Sequence, residues 1–331
     1  MNKAPLISVV NLAKHYVVRE GILLPHEVGR VRAVDGISFE IQRGETLGLV
    51  GESGCGKSTV GKLVLQLVAP TQGSVFLEGS DLGLLDGAGL RAARRSLQIV
   101  FQDPNGSLNP RMRIDEIILE PLHIQGQRDG PGLRHRLAEL LELVGLSATH
   151  AKLYPHEFSG GQRQRIGIAR AIASNPKFIV CDEAVSALDV SVQAQIVNLL
   201  QDLQRDMGLS YLFIAHDLAV VKHISDRVAV MYLGKIVEIT GKKELYARPL
   251  HPYTQALIAA IPVAHPRLRR PRVRLGGDVG SALAVPAGCR FHTRCPYAEA
   301  RCKIEEPPLR SIAEGHQVAC HFAERLRSDI T

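Results

Sequence analysis

At 331 residues the chain has room for two domains, or for one large domain and an appendage, and its 45% hydrophobic and 22% charged content is ordinary for a globular protein. The formal charge of +7 is uneven: residues 1–245 hold 27 Lys and Arg against 26 Asp and Glu, and residues 246–331 hold 13 against 7. That balance argues against a general nucleic-acid surface on the main body and directs attention to the tail.

The N-terminus has a brief apolar patch without the layout of a secretory signal. Residues 6–18 and 31–41 read as β-strands, with a charged, Gly-bearing stretch over 19–30 between them. Tyr16 offers an aromatic face on which a purine would stack, although a tyrosine at a strand end more often serves packing. An apolar strand, Thr46–Val50, then enters Gly51-Glu52-Ser53-Gly54-Cys55-Gly56-Lys57-Ser58-Thr59. The spacing Gly-x4-Gly-Lys-Ser between a strand and a helix is that of a phosphate-cradling loop. Its glycines let backbone N–H groups close on a polyphosphate, and the helix N-terminus adds favourable partial charge. Lys57 supplies a point charge for the terminal phosphates, and the Ser58 hydroxyl suits Mg²⁺. The helix is expected to begin near Lys57 and to carry Val60, Leu63, Val64 and Leu67 on one face.

A further strand is expected over 73–79, then a connector over 81–96, then a buried strand Leu97–Phe101 ending at Gln102. An amide in that place can bind a metal ion or water beside a moving loop; taken alone it reads as a surface residue. From 114 to about 146 the period turns helical, with Leu133, Leu137, Leu140, Leu141 and Val144 on one face. This section, about 103–160, reads as a helical subdomain inserted into a strand-rich core. Phe158-Ser159-Gly160-Gly161-Gln162 then opens an amphipathic helix, a second N-terminus ready for phosphate. One phosphate loop needs no second one in the same monomer, but a dimer would.

Phe178–Cys181 is a continuous apolar strand ending in Asp182-Glu183. An Asp at the tip of a buried strand suits Mg²⁺, and the adjacent Glu can act as a base toward water. Ser186–Asp189 leads into a helix running to Met207 and stopped by Gly208. Ser210–Ala215 is another buried strand, and His216 at its end would face the same crevice as Asp182 if the two strands are parallel.

In the tail, the longest apolar run, 256–264, contains Pro262 and falls short of the ~18 residues a bilayer span needs. Cys55 and Cys181 are isolated, while Cys289, Cys295, Cys302 and Cys320 crowd into 32 residues. Spacing alone leaves an iron–sulfur cluster, zinc and free thiols open. His292, His316 or His321 could replace one ligand. The run 265–274, with five arginines, reads as a solvated linker, or as a contact for anionic lipid.

Together these motifs resemble the nucleotide-binding subunit of ATP-binding-cassette (ABC) transporters over residues 6–240. The Walker A loop is Gly51–Ser58, the Q-loop residue Gln102, the signature 158–162, the Walker B pair Asp182-Glu183, the D-loop Ser186–Asp189 and the switch histidine His216. Tyr16 matches the family's adenine-stacking aromatic. The phrases VGESGCGKST, IVFQDPNGSLNPR, YPHEFSGGQRQRI, VSALDVSVQAQIVNLL, HPYTQAL and GCRFHTRCP extend the resemblance to dipeptide and oligopeptide importer ATPases, of the F type, over almost the whole chain. Ala184 departs from the usual Pro after the Walker B Glu, which removes no catalytic group.

The resemblance implies an α/β P-loop (RecA-like) ATPase core over 1–245 with the inserted helical subdomain, and a small cysteine-containing extension over 246–331. It implies that Lys57, Gln102, Glu183 and His216 serve catalysis. Tyr16, the loop residues Gly51 and Ser53–Thr59, Ser159–Gln162 (with Gly160 and Gly161) and Asp189 would bind ATP. Ser58, Gln102 and Asp182 would hold Mg²⁺. For the tail the resemblance implies a [4Fe–4S] cluster on Cys289, Cys295, Cys302 and Cys320, with zinc as the alternative. Expected partners are a related D-type ATPase, two transmembrane permease subunits and an extracytoplasmic substrate-binding protein, with no nucleic acid. The expected location is the cytoplasmic face of the inner membrane. Peptide uptake is the expected function; nickel or another small solute, and a soluble non-transport ATPase, are the competing ones. The latter wants paired cassettes, a coiled coil or a basic main body, and none is visible.

Overall fold

The structure is a computed structural model that describes residues 4–21, 26–261, 276 and 280–328. A long hairpin of β1 (Ile7–Glu20) and β2 (His26–Ile41) opens the chain. β3 (Thr46–Val50) feeds α1 (Lys57–Val64), and β4 (Gln72–Leu77), β5 (Ser80–Asp81), α2 (Gly87–Ser96) and β6 (Leu97–Val100) follow. The helical section comprises α3 (Pro104–Ser107), α4 (Ile114–Ile124) and α5 (Pro131–Leu143) and leads to α6 (Gly160–Ile172). Then come β7 (Phe178–Asp182), α7 (Val190–Met207), β8 (Ser210–Ala215) and α8 (Leu218–Ile224). β9 (Arg227–Tyr232), β10 (Lys235–Gly241), α9 (Lys242–Ala247) and α10 (Pro252–Ala259) precede the tail. The tail holds α11 (Ala300–Ile304), β11 (Arg310–Ala313), β12 (His316–Val318) and α12 (Ala323–Ser328).

Two sheets organise these elements. The larger has the order β11-β12-β10-β9-β3-β8-β7-β6, and its five strands from β9 to β6 run parallel. β3, β7 and β8 are buried along their whole length, as expected of parallel strands covered on both faces. Side chains of β8 alternate between two cores. Leu212 and Ile214 join α1, β1, β2 and β4 on one side, while Tyr211 and Phe213 join α4 through α8 on the other. The smaller sheet, β2-β1-β4-β5, is antiparallel and caps the first core.

Several expected boundaries move. The hairpin strands run into the stretch expected to separate them, because Val17 to Glu20 pair with His26 to Arg30. Leu67 lies beyond α1 and is half exposed: Gln66 takes a left-handed φ of 53° that ends the helical path. Phe101 lies past β6 and is likewise exposed. The helical stretch is two helices, broken at Gly126 and restarted by Pro131 at the first turn of α5.

The tail extends the main sheet. β12 pairs antiparallel with β10, Glu238 opposite Val318. Glu238, with no exposed surface, accepts N–H bonds from Leu250 (2.8 Å) and His251 (3.0 Å) and lies 2.8 Å from Nε2 of His316. Among the described residues no helix is long and apolar enough to cross a membrane. The basic run 265–274 lies outside the described residues.

Candidate active site

The parallel strand order carries the C-terminal ends of β3, β8, β7 and β6 to one edge, where the sequence places the phosphate loop, His216, Asp182-Glu183 and Gln102. The loop itself is tightly fitted. A Cβ at Gly56, whose φ is +109°, would stand 1.9 Å from the carbonyl oxygen of Ala33, so no other residue fits there. Lys57 is 4% exposed, and its Nζ donates to the carbonyls of Gly51 and Glu52, both at 2.9 Å. A buried ammonium resting on neutral carbonyls is a cation waiting for an anion. Ser53 and Gly54 form the exposed crest of the loop, Cys55 is buried beneath it, and Thr59 lies in the first turn of α1. Burial pushes the Cys55 thiol up, against the pull of Lys57, so it is inert as a nucleophile.

Ser58 and Asp182 meet although 124 positions apart: Oγ of Ser58 donates to Oδ1 of Asp182 at 2.8 Å. Asp182 is 8% exposed, and burial raises its carboxyl above the usual range; the Ser58 hydroxyl opposes that shift and Glu183 adds to it. Lys62 and Lys57 also favour its charged form without offsetting the burial, and two hard oxygens, one on such an acid, fit a small divalent cation. On the next residue, Oε2 of Glu183 accepts from Nε2 of Gln102 at 2.9 Å and lies 3.8 Å from Nδ1 of His216. Glu183 has a φ of 49°, uncommon for a residue with a side chain and frequent at working sites. The Gln102 loop is tied to α6, since buried Gln164 donates to the carbonyl of Phe101 at 3.3 Å. Gln102, expected at a metal, is thus placed against Glu183.

Six predicted residues sit elsewhere. Tyr16 is partly exposed on β1, with Nζ of Lys14 5.2 Å from its ring centre. Ser159 and Gln162 close a capping box on α6: Oγ of Ser159 accepts from the Gln162 N–H at 3.3 Å, and Oε1 of Gln162 accepts from the Ser159 N–H at 3.0 Å. Gly161 lies against α7, where a Cβ would stand 2.5 Å from Cγ1 of Val192, and Gly160 faces Leu188. Asp189 caps α7 by accepting from the Val192 N–H at 2.9 Å and from the Ser191 hydroxyl at 2.7 Å, and the Ser191 bond foremost holds its pKa down. The 159–162 segment therefore opens a separate helix, one that Gln164 ties to the Gln102 loop.

In the tail, Cys289, Cys295, Cys302 and Cys320 lie within electrostatic reach of one another, all as free thiols. Burial pushes Cys289 up to about 12 and Cys295 up to about 11, and raises Cys320 as well. Among the described residues, no three His, Cys, Asp or Glu side chains are gathered closely enough to hold a metal ion. His292 bonds the Cys289 carbonyl, His321 the Glu305 carbonyl and His316 the Glu238 carboxylate, so all three histidines have other partners.

Sequence reasoning missed the residues that join tail to loop. Arg294 donates to both carboxylate oxygens of Glu52, at 2.8 and 2.9 Å, and the Glu52 N–H donates to the Tyr253 hydroxyl at 2.8 Å. Arg290 bonds the Leu233 carbonyl and Asp35, and Asp35 lies 2.7 Å from Nε2 of His15, beside Tyr16. The nearest signal was the HPY phrase at 251–253, which marked Tyr253 without its role.

Comparison with known proteins agrees with this fold. Residues 34–186 match the family model described as "ABC transporter", and residues 237–302 that described as "Oligopeptide/dipeptide transporter, C-terminal region". The oligopeptide transport ATP-binding protein AppF of Bacillus subtilis is 51% identical over 97% of this chain and 98% of its own length. The putative oligopeptide transport ATP-binding protein YkfD of the same organism is 52% identical over 97% of each chain. Among solved structures, the dimeric post-hydrolysis state of the ATP-binding cassette MJ0796, bound to ADP and Pi, is 30% identical, with a TM-score of 0.63 over 71% of this chain and 98% of that one.

Proposed function

The chain belongs to the ABC transporter family, in the branch that carries the oligopeptide/dipeptide transporter C-terminal region, and from that premise we propose that it is the ATP-hydrolysing subunit of an importer of di- and oligopeptides. The observation that carries the reading is the convergence at one sheet edge of a buried Lys57, a Ser58–Asp182 pair and a Glu183–Gln102 pair. The names of the relatives, which are peptide and oligopeptide transport proteins, supply the substrate class.

In this reading ATP draws Lys57 off the loop carbonyls onto its β/γ-phosphates, and the 51–58 amides wrap the same groups. Mg²⁺, when bound with ATP, neutralises charge on the phosphates, and Ser58 and Asp182 are the residues that would hold it. Glu183 accepts a proton from the attacking water, Gln102 orients that carboxylate, and His216 contacts the γ-phosphate. Tyr16 stacks on the adenine. Ser159–Gln162 serve the loop of a second cassette, because they open a separate helix in this one, so the working unit is a head-to-tail pair. A related D-type ATPase is the expected second member. Closure of the pair passes through the Gln102 loop and the 103–160 helices to two permease subunits, at the cytoplasmic face of the membrane, with an extracytoplasmic binding protein delivering substrate.

The finer reading of the tail is a [4Fe–4S] cluster on the four cysteines. Supporting it are the electrostatic reach of the four thiols on one another and the burial that makes the Cys289, Cys295 and Cys320 thiolates costly without a cation; as placed, the side chains would have to draw closer to hold a metal ion. Iron and sulfide analysis of anaerobically purified protein tests it: zinc at one per chain without iron assigns the alternative, and neither metal overturns both.

Uptake of labelled di- and oligopeptides, with nickel in parallel, tests the function in cells carrying Glu183→Gln. Loss of peptide uptake alone, with ATP binding retained, is expected. Loss of nickel uptake alone moves the protein to metal import, and no change in either removes it from transport.

A further inference from the structure

We propose that Arg294 and Tyr253 are positioning residues of the ATP site, through which the cysteine-bearing tail sets the shape of the phosphate loop. The inference rests on the ATP-binding reading above and adds a specific mechanical link to it. Glu52, the second residue of the loop, is held at three points. Its carboxylate takes both arms of the Arg294 guanidinium, its N–H donates to Tyr253, and its carbonyl receives Lys57. The first two restraints come from residues more than 200 positions away.

The surroundings make the clamp stiff. Arg294 is 9% exposed, and its guanidinium lies 5.9 Å from the ring centre of Tyr232 and 6.0 Å from that of Phe291. Those rings pack with Tyr253 at 4.7 to 5.4 Å between centres, so guanidinium and hydroxyl share one aromatic platform. A two-armed arginine–carboxylate pair in such a setting fixes direction as well as distance, which a lysine does not. The Glu52 carbonyl is also one of the two rests of Lys57, so the clamp determines where the phosphate-binding ammonium waits.

A second arm reaches the other end of the site. Arg290, four residues before Arg294, bonds Asp35, which in turn holds His15 next to Tyr16. The segment Cys289-Arg290-Phe291-His292-Thr293-Arg294-Cys295 thus grips the structure on both sides of the nucleotide position. None of these contacts touches Glu183 or Gln102, so loosening the clamp should weaken binding of ATP and spare the hydrolytic step.

The test uses the full-length chain with a fluorescent ATP analogue (mant-ATP) and Mg²⁺, and thermal unfolding alongside. Arg294→Ala and Glu52→Gln are each expected to weaken binding about tenfold, and the double variant no more than either alone, since both remove the same bond. Arg294→Lys should recover only part of the loss. In the assembled transporter Arg294→Ala should raise the KM for ATP with kcat within about twofold. Should Arg294→Ala fail to fold, Glu52→Gln and Tyr253→Phe, which keep side-chain shape, carry the test. Wild-type affinity in the folded variants, or a lowered unfolding temperature with unchanged affinity, means that the clamp only docks the tail and overturns the proposal. If the wild-type chain itself binds no mant-ATP, the ATPase reading falls and this inference falls with it.

Discussion

Asp182, proposed above as a Mg²⁺ ligand, is held against the interest of the fold. Burial raises its pKa above the ordinary 3.8, and the single Ser58 hydroxyl does not offset that. A carboxyl with a raised folded-state pKa costs stability once the pH is above its unfolded value, and the cost persists at neutral pH. Asp182→Asn keeps an acceptor for Ser58 and deletes the charge. The nucleotide-free variant is therefore expected to melt about 2 °C higher, corresponding to about 1 kcal/mol. Its ATP turnover should fall on the order of 100-fold or more. Calorimetry and a phosphate-release assay check the two halves, and a lower melting point would mark Asp182 as a structural acid. At this scale Lys57, Ser58, Gln102, Asp182, Glu183 and His216 were legible because each stands in a short local phrase. Arg294 and Glu52 were not, since a pair separated by 242 positions leaves no periodic or motif signal.

Helix ends decide what the elements can offer. The capping box on α6 uses Ser159 and Gln162 to satisfy amides at the helix start, an N-terminus separate from the one that the phosphate loop feeds. Gly161 lets α6 approach Val192 of α7, which aligns this end with the 186–189 turn. Ser159→Ala is expected to cost about 1 kcal/mol of stability through the lost cap. Binding of mant-ATP to the isolated chain should stay at the wild-type level, while ATP-dependent pairing of cassettes, followed by sedimentation in a Glu183→Gln background, should be lost. Weakened binding in the isolated chain would place Ser159 in its own site and undo the head-to-tail argument. The sequence revealed α6 and α7 well, because their apolar period is strong and their caps are local. It misjudged Leu67 and Phe101, where an apolar residue continues the pattern after the backbone has already turned away.

On the scale of the whole molecule, tail and cassette meet at a buried polar seam. Glu238 of β10 receives the N–H groups of Leu250 and His251 and the ring of His316 from β12, so one acid ties the sheet to both sides of the undescribed 262–275 segment. His251 itself is fully enclosed, and its Nδ1 accepts the Tyr253 N–H at 3.1 Å, which sets the start of α10 and so the place of the Tyr253 hydroxyl. Burial lowers the His251 pKa from 6.5 to about 4, with Glu238 opposing the shift. The unfolded chain therefore takes up a proton at this residue before the folded one does. Stability is complete above about pH 6.5 and is lost as the pH falls toward 4, by about 2 kcal/mol at pH 5. His251→Asn preserves a helix-capping acceptor and removes the titration. Between pH 7.5 and pH 5 the wild-type melting temperature should fall about 4 °C more than that of the variant. Because the tail shares the main sheet, the loss should appear in one transition; parallel slopes in the two proteins would mean that the seam takes up a proton without opening.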